Sequence, residues 1–187
     1  VQFRAYSQSG EDGLLLFIFS VLGTTNKKCV EICCGEGIEC NTANLIVNHG
    51  WNGLLVDGDD VKLQRGREFY GQCQGTRIWP PHFERRWVTR ENVNDILRDK
   101  NFSGVIDLLS LDLDGNDYWI WQAIDAIDPR VVILEYQSAW GPDKRITQRY
   151  QEDFNFFSTK VGLGLPRCGA SLAAFVKKKK KKGYRLV

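Results

Sequence analysis

The chain has 187 residues, enough for one full core and a single domain, and 25 basic against 23 acidic side chains leave a net charge of +2. That near-neutral balance gives no global argument for nucleic acid or an anionic membrane surface as partner, and no apolar run is long enough to span a bilayer. No signal-peptide pattern opens the chain, so a cytoplasmic location is expected, and the lack of any Met implies a trimmed start.

Tyr6 to Gly13 reads as a capping segment, with Ser9 or Asp12 as cap of a helix beginning at Gly13-Leu-Leu-Leu-Phe-Ile-Phe19. Gln8, Glu11 and Asp12 exceed what one cap needs, so this helix start is a place to hold a charged ligand group. The stretch Lys28 to Asn41 opens as a short apolar strand carrying one acid, Glu31. A turn containing Gly35 and Gly37 follows, then a helix from Asn41 to Asn48. The second strand, Gly53 to Val56, ends at Asp57-Gly-Asp-Asp60, and a helix is expected from Val61 to Tyr70. Gly71 to Phe83 reads as irregular, because Pro80-Pro81 bars helix and internal strand. A third strand is expected near Glu84 to Val88, and Thr89 with Asn92 caps a helix over Val93 to Asp99.

The strongest strand pattern is Ile106 to Leu113, closing on Asp114-Gly-Asn-Asp117. A helix from Tyr118 to Ile127 is expected to stop at Pro129, before a fifth strand from Arg130 to Tyr136. Strands alternating with helices imply parallel βαβ units and a doubly wound, Rossmann-like α/β sheet. Ser138 to Gly169 is long for a connection and rich in Gly, Pro and aromatics, so it reads as a lid or acceptor-binding segment. Gly169 to Val176 opens a helix running into Lys177 to Lys182 with Gly183 as its stop; the lysines read as a solvated helix end rather than a nucleic-acid patch. Tyr184 to Val187 looks like the start of another strand. The six cysteines include no C-x2-C pair, which leaves buried thiols in a reducing compartment rather than a zinc site or disulfides.

Two features carry chemistry. Glycines after the first strand let the backbone approach a ligand, and an acid ending the second strand, Asp57, twenty residues beyond Gly37, accepts hydrogen bonds from ribose hydroxyls. That pairing points to an adenosine-containing cofactor. At the ends of the fourth and fifth strands stand Asp114, Asn116, Asp117 and Glu135. Carboxylates brought together there repel, so one must be protonated, paired or bound to a metal.

The segments Ser7-Gln8-x-Gly10-Glu11-Asp12, Val30-Glu31-x4-Glu36-Gly37-Ile-Glu-Cys-Asn41, Gly50-Trp51-x-Gly53-Leu-Leu-Val-Asp57, Asp112-Leu-Asp114-Gly115-Asn-Asp117 and Gly169-Ala-Ser-Leu172 resemble, in order, the FkbM-type methyltransferases of the class I S-adenosylmethionine-dependent superfamily. The resemblance implies a sheet of order 3-2-1-4-5-7-6, with the seventh strand antiparallel. It also implies O-methylation, in characterised members often of a sugar or natural-product hydroxyl. Two departures stand out: Cys33 replaces a glycine of the cofactor turn, and the chain ends before the seventh strand.

On this reading Gln8, Glu31, Gly35, Gly37, Asn41, Asp57 and Asp112 hold S-adenosylmethionine. Asp114, Glu135 and Asp117 are the catalytic candidates. Asp114 or Glu135 serves as base, or Asp114, Asn116 and Glu135 hold Mg²⁺ beside a small-molecule or glycan acceptor. Capping of the following helix is the plainer role for Asp114 and Asp117. Three rivals remain. A metal-dependent glycosyltransferase explains Asp112-x-Asp114 but not Asp57; a dinucleotide-dependent oxidoreductase explains Asp57 but not the acidic cluster; the third is a cofactor-binding module without catalysis.

Overall fold

Strands buried on both faces need helices on both faces, and the burial of the central strands shows that arrangement. The computed structural model describes residues 1–154 and 168–186. Along the chain lie α1 (Glu11–Leu22), β1 (Lys28–Ile32), α2 (Ala43–His49), β2 (Asn52–Asp57), α3 (Asp60–Gln72), β3 (His82–Arg85), α4 (Val93–Asp99), β4 (Gly104–Leu111), α5 (Asp117–Ala123), β5 (Ile127–Leu134), a 3-10 turn at Ser138–Trp140 and α6 (Leu172–Lys181). The strands form one all-parallel sheet in the order β3-β2-β1-β4-β5. These are the first five positions of the order that the resemblance implies.

Val30, Ile32, Leu54, Val56 and Leu109 pack on one face against Val93, Ile96, Leu97, Ile120, Trp121 and Phe175, which belong to α4, α5 and α6. Cys29, Leu55 and Leu108 pack on the other against Leu15, Phe19, Leu45, Ile46, Leu63 and Tyr70, from α1, α2 and α3. The chain winds outward from β1 through β2 to β3, then returns to the far side of β1 as β4. That reversal opens a crevice beyond the carboxyl ends of β1 and β4, where sheets of this kind bind ligands. The register places Ile32 beside Val56 and Leu111, and Leu111 beside Leu134, so the residues following these strands share one rim. No helix among the described residues is long and apolar enough to cross a membrane.

Several expected boundaries move. β4 covers Gly104–Leu111 rather than 106–113, so Asp112 lies just beyond the strand. α5 stops at Ala123, and Pro129 lies inside β5 instead of ending a helix. β5 is an edge of the described sheet, where the missing N–H of proline is tolerated. β3 starts directly after Pro81 and ends at Arg85, which leaves Trp87 and Val88 in the following loop. α2 begins at Ala43 rather than Asn41. Neither Ser9 nor Asp12 caps α1, whose N-cap is Gly10. Asp12 accepts instead from the backbone N–H groups of Ala5, Tyr6 and Ser7 and so folds the preceding loop onto the helix.

Thr89 and Asn92 do bond reciprocally ahead of α4, and Gly183, at φ 84°, follows the end of α6. Residues 184–186 form no strand: the Tyr184 hydroxyl donates to the Pro129 carbonyl and its ring packs near Trp121. The middle of the expected lid, residues 155–167, lies outside the described residues, as does Val187. All six cysteines are unpaired.

At the end of the sheet opposite the rim, the Asp107 side chain is fully buried. It accepts from the backbone N–H groups of Thr25, Asn26 and Lys27 and from Arg130 at 2.7 Å. Arg130 also donates to the carbonyls of Leu22 and Gly23, so one ion pair joins α1, the approach to β1, β4 and β5. Burial pushes this carboxyl upward, but Arg130 and the backbone donors outweigh it and hold it down at about 2. The folded value lies below the ordinary ~3.9, so the stabilisation is complete above that pH and is lost as pH falls towards 2. Asp107→Asn should cost about 3 kcal/mol in denaturant unfolding at pH 7, with the difference from wild type shrinking between pH 4 and pH 2. An equal stability at pH 7 would contradict this pin.

Candidate active site at the carboxyl rim of the sheet

The turn after β1 is fastened to β2. Cys33 and Cys34 both donate their backbone N–H to the Val56 carbonyl, at 2.8 and 3.2 Å. Asp57, the last residue of β2, accepts from Gly35 N–H at 2.8 Å through one oxygen and from Asp59 N–H at 2.9 Å through the other. Cys33, Gly35 and Gly37 all have left-handed backbone, with φ of 63, 60 and 68°. At Gly37 the left-handed backbone favours glycine, and a Cβ there would also stand 2.7 Å from Leu55 Cδ1, which would have to shift. At Gly35 a Cβ would meet no protein atom within 4 Å, so the crest of the turn faces open space. Cys33 takes up the same backbone region without glycine's freedom, at a cost of about 1–2 kcal/mol. Its thiol is pushed up, first by desolvation and then by the charges of Asp57, Asp117, Asp112 and Asp114.

Glu31 lies beneath this turn with 3% exposure. It accepts from Thr42 N–H at 2.8 Å, from Ser110 Oγ at 2.8 Å and, at 3.4 Å, from Asn41 N–H. The Asn41 side chain donates to the same Ser110 oxygen. Burial raises the Glu31 carboxyl, and these donors oppose the rise. In this geometry Glu31 braces the loop to α2 from below. Gln8 is exposed, on the loop that Asp12 organises, and Arg4 ties that loop to the turn through a 2.9 Å ion pair with Glu39.

The acidic group gathers differently from the sequence expectation. Carboxylate oxygens of Asp112, Asp114 and Glu135 lie within 4.8 Å of one another, and all three residues are exposed. Asp112, expected on the cofactor side, lies beside two of the catalytic candidates. Asn116, expected among metal ligands, is buried and donates to the Gln151 carbonyl at 2.7 Å. Asp117 is 2% exposed and accepts from Leu113 and Gly115 N–H, which holds the loop that carries Asp114 in left-handed backbone at φ 55°. Burial pushes the Asp117 carboxyl up to about 6. Glu135 is pushed up to about 7, first by desolvation and then by the charge and hydrogen bond of Asp112, with Asp117 and Asp114 adding to it. Desolvation and Asp112 also raise Asp114, against which Lys62 of α3 acts.

The described ends of the segment beyond β5 are anchored beside this rim. Trp119 Nε1 donates to the Gln148 carbonyl, and Gln148 and Gly169 exchange two hydrogen bonds next to the Thr147–Ala170 bridge. Tyr150 accepts from Arg90 N–H and lies under the Arg90 guanidinium at 3.9 Å. Trp87 Nε1 donates to the Glu152 carbonyl at 2.8 Å. Lys62 was not legible as a site residue, because its position depends on where α3 starts. For Asp112 there was a signal, the Asp-x-Asp spacing.

No protein-family model matches the chain, and no curated protein matches its sequence. Among solved structures, it superposes on the methyltransferase domain of bacterial-CtHen1-CN with a TM-score of 0.54 at 20% identity, covering 92% of this chain and 84% of that one. A second similar structure is an S-adenosylmethionine-dependent methyltransferase from Clostridium acetobutylicum ATCC 824, at a TM-score of 0.44 and 15% identity over 63% of this chain. The present chain spans 45% of that protein's length. The fold is that of the Rossmann-like class I methyltransferases.

The crowding of Glu135 is directly measurable. In carboxyl-carbon NMR its titration should fall near pH 7, and Asp112→Asn should bring it down towards the ordinary ~4.3 by removing the nearest charge and hydrogen bond. A Glu135 titration that Asp112→Asn leaves in place would mean that the two carboxylates do not interact.

Proposed function

We propose that the chain is an S-adenosylmethionine-dependent O-methyltransferase of the FkbM type, acting on a hydroxyl of a sugar or small natural product. The observation that carries this reading is Asp57, which ends β2 and is bonded to the glycine turn after β1, across the switch point from the Asp112, Asp114 and Glu135 group. The residues suit the cofactor. Each Asp57 oxygen is bonded to one backbone donor and keeps a lone pair for a ribose hydroxyl, and the space above Gly35 is open. When bound, S-adenosylmethionine supplies a sulfonium methyl group to an oxygen aligned with it.

The chain's own residues do the rest. Asp57 and the turn fix the nucleoside, and alignment of the two reactants contributes several kcal/mol to the rate. Glu135 is raised to about 7, first by desolvation and then by its acidic neighbours, which suits a base that takes the acceptor's hydroxyl proton at neutral pH, worth typically ~10²–10⁴-fold. Asp114 shares that rim and holds the acceptor beside it. A second version has its own support: three carboxylates within 4.8 Å are an arrangement that accepts Mg²⁺, which would lower the hydroxyl's pKa in place of a free base. Six unpaired thiols suit a reducing cytoplasm.

Calorimetry with S-adenosylhomocysteine tests the cofactor site. Asp57→Ala should weaken binding by roughly 1.5–3 kcal/mol, as for hydrogen bonds to a charged group. Unchanged affinity would overturn the assignment, and tight binding of a UDP-sugar or of NAD instead would favour the rival enzymes. Asp114→Asn should lose most turnover while keeping cofactor affinity, and undiminished turnover would leave Asp114 a loop residue. Chelator that abolishes activity, with Mg²⁺ restoring it, selects the metal version over free base catalysis.

A further inference from the structure

We propose that the outer face of α1 is a dimer interface, on which the same helix of a second copy of this chain packs antiparallel about a two-fold axis. After Asp12 the helix reads Gly-Leu-Leu-Leu-Phe-Ile-Phe-Ser-Val-Leu22, without a charged residue. A helix on a protein surface is apolar along one stripe and polar on the other; one that is apolar all round needs cover on both sides. Leu15 and Phe19 form the inward stripe, buried against the sheet. Leu14, Phe17 and Val21 follow the i, i+3, i+7 spacing of a second stripe on the opposite side, and they are 40, 54 and 71% exposed. Leu22 flanks them, half exposed. Ser20, the one polar side chain of this stretch, turns its hydroxyl back onto the Phe17 carbonyl at 2.7 Å. The face therefore offers water almost nothing to bond.

Charge, symmetry and area select a second copy as the occupant. A helix lying on a lipid surface carries Lys or Arg beside its apolar face, and α1 has neither. A face without charge can be set against itself with no like-charge repulsion. The stripe is also nearly symmetric about Phe17, with Leu14 one turn before it and Val21 one turn after. An antiparallel copy puts Phe17 against Phe17 at the axis and Leu14 against Val21 on either side, which is the self-complementary pattern of a two-fold contact. At their exposures Leu14, Phe17, Val21 and Leu22 leave roughly 400 Å² of apolar surface open, the size of patch that marks an interaction site. Val1 and Phe3, both exposed, cross α1 at Gly13 along the edge of the stripe and enlarge it. Two such patches face to face cover about 1,000 Å², the area a specific interface requires.

Sedimentation of the full chain without ligand reads the association directly. The wild type should be a dimer at micromolar concentration. Phe17→Glu and Val21→Glu should each raise the dimer Kd at least about a hundredfold, since like charges then meet across the axis. Both positions are exposed, so both variants should keep the wild-type circular dichroism as folded monomers. Trp79→Glu, which removes an exposed apolar side chain in the segment before β3, should remain a dimer. A wild type that stays monomeric up to about 100 µM would overturn the interface, as would a dimer that neither glutamate weakens. Flotation of a monomeric wild type with phosphatidylcholine vesicles, lost in Phe17→Glu, would overturn it in favour of a lipid surface.

Discussion

A carboxylate buried within a parallel sheet is tolerated only where donors converge on it, since losing water costs a charge several kcal/mol. Glu31 sets that condition at the centre of this fold. The donors it draws in, from Thr42, Asn41 and Ser110, come from the start of α2 and from β4, so satisfying one charge fixes both walls of the crevice relative to β1. Between Glu31 and Thr42 the chain has few ways to close. It does so through three left-handed residues and two bonds to the end of β2, and this closure forms the turn that faces the open rim.

The remaining acids of the rim sort by the same rule. Asp57 and Asp117 are bonded by backbone donors and hold loops in shape. Asp112, Asp114 and Glu135 stay exposed, with their oxygens close together, and mutual repulsion adds to desolvation in the upward displacement of Glu135. A fold that needed these three only for stability would gain by separating them. Their proximity at the ends of β4 and β5, across the switch point from Asp57, favours the proposed proton or cation handling.

Much of this was legible in the sequence because the residues have narrow physical uses. Gly37 takes the left-handed backbone that favours glycine, Asp57 ends its strand as the apolar run predicts, and strands alternating with helices imply the parallel sheet that is observed. The boundaries were less legible. Leu113 extends the apolar pattern of β4, but the ladder stops at Leu111 because its neighbours end at Ile32 and Leu134. Pro129 signals a break to a reader expecting a helix, yet an edge strand accommodates it. Asp112 lies in the loop for the same reason: the strand ends two residues before its apolar pattern does.

The central claim is that the turn after β1 and the carboxylate ending β2 together hold the nucleoside of a methyl donor. A crystal structure of the chain with S-adenosylhomocysteine tests it most directly. The account predicts the ribose hydroxyls on the Asp57 carboxylate, the backbone of Gly35 close to the ligand, and the sulfur directed towards Asp114 and Glu135. Density for the ligand away from Asp57, or a sulfur turned away from that acidic group, would contradict it.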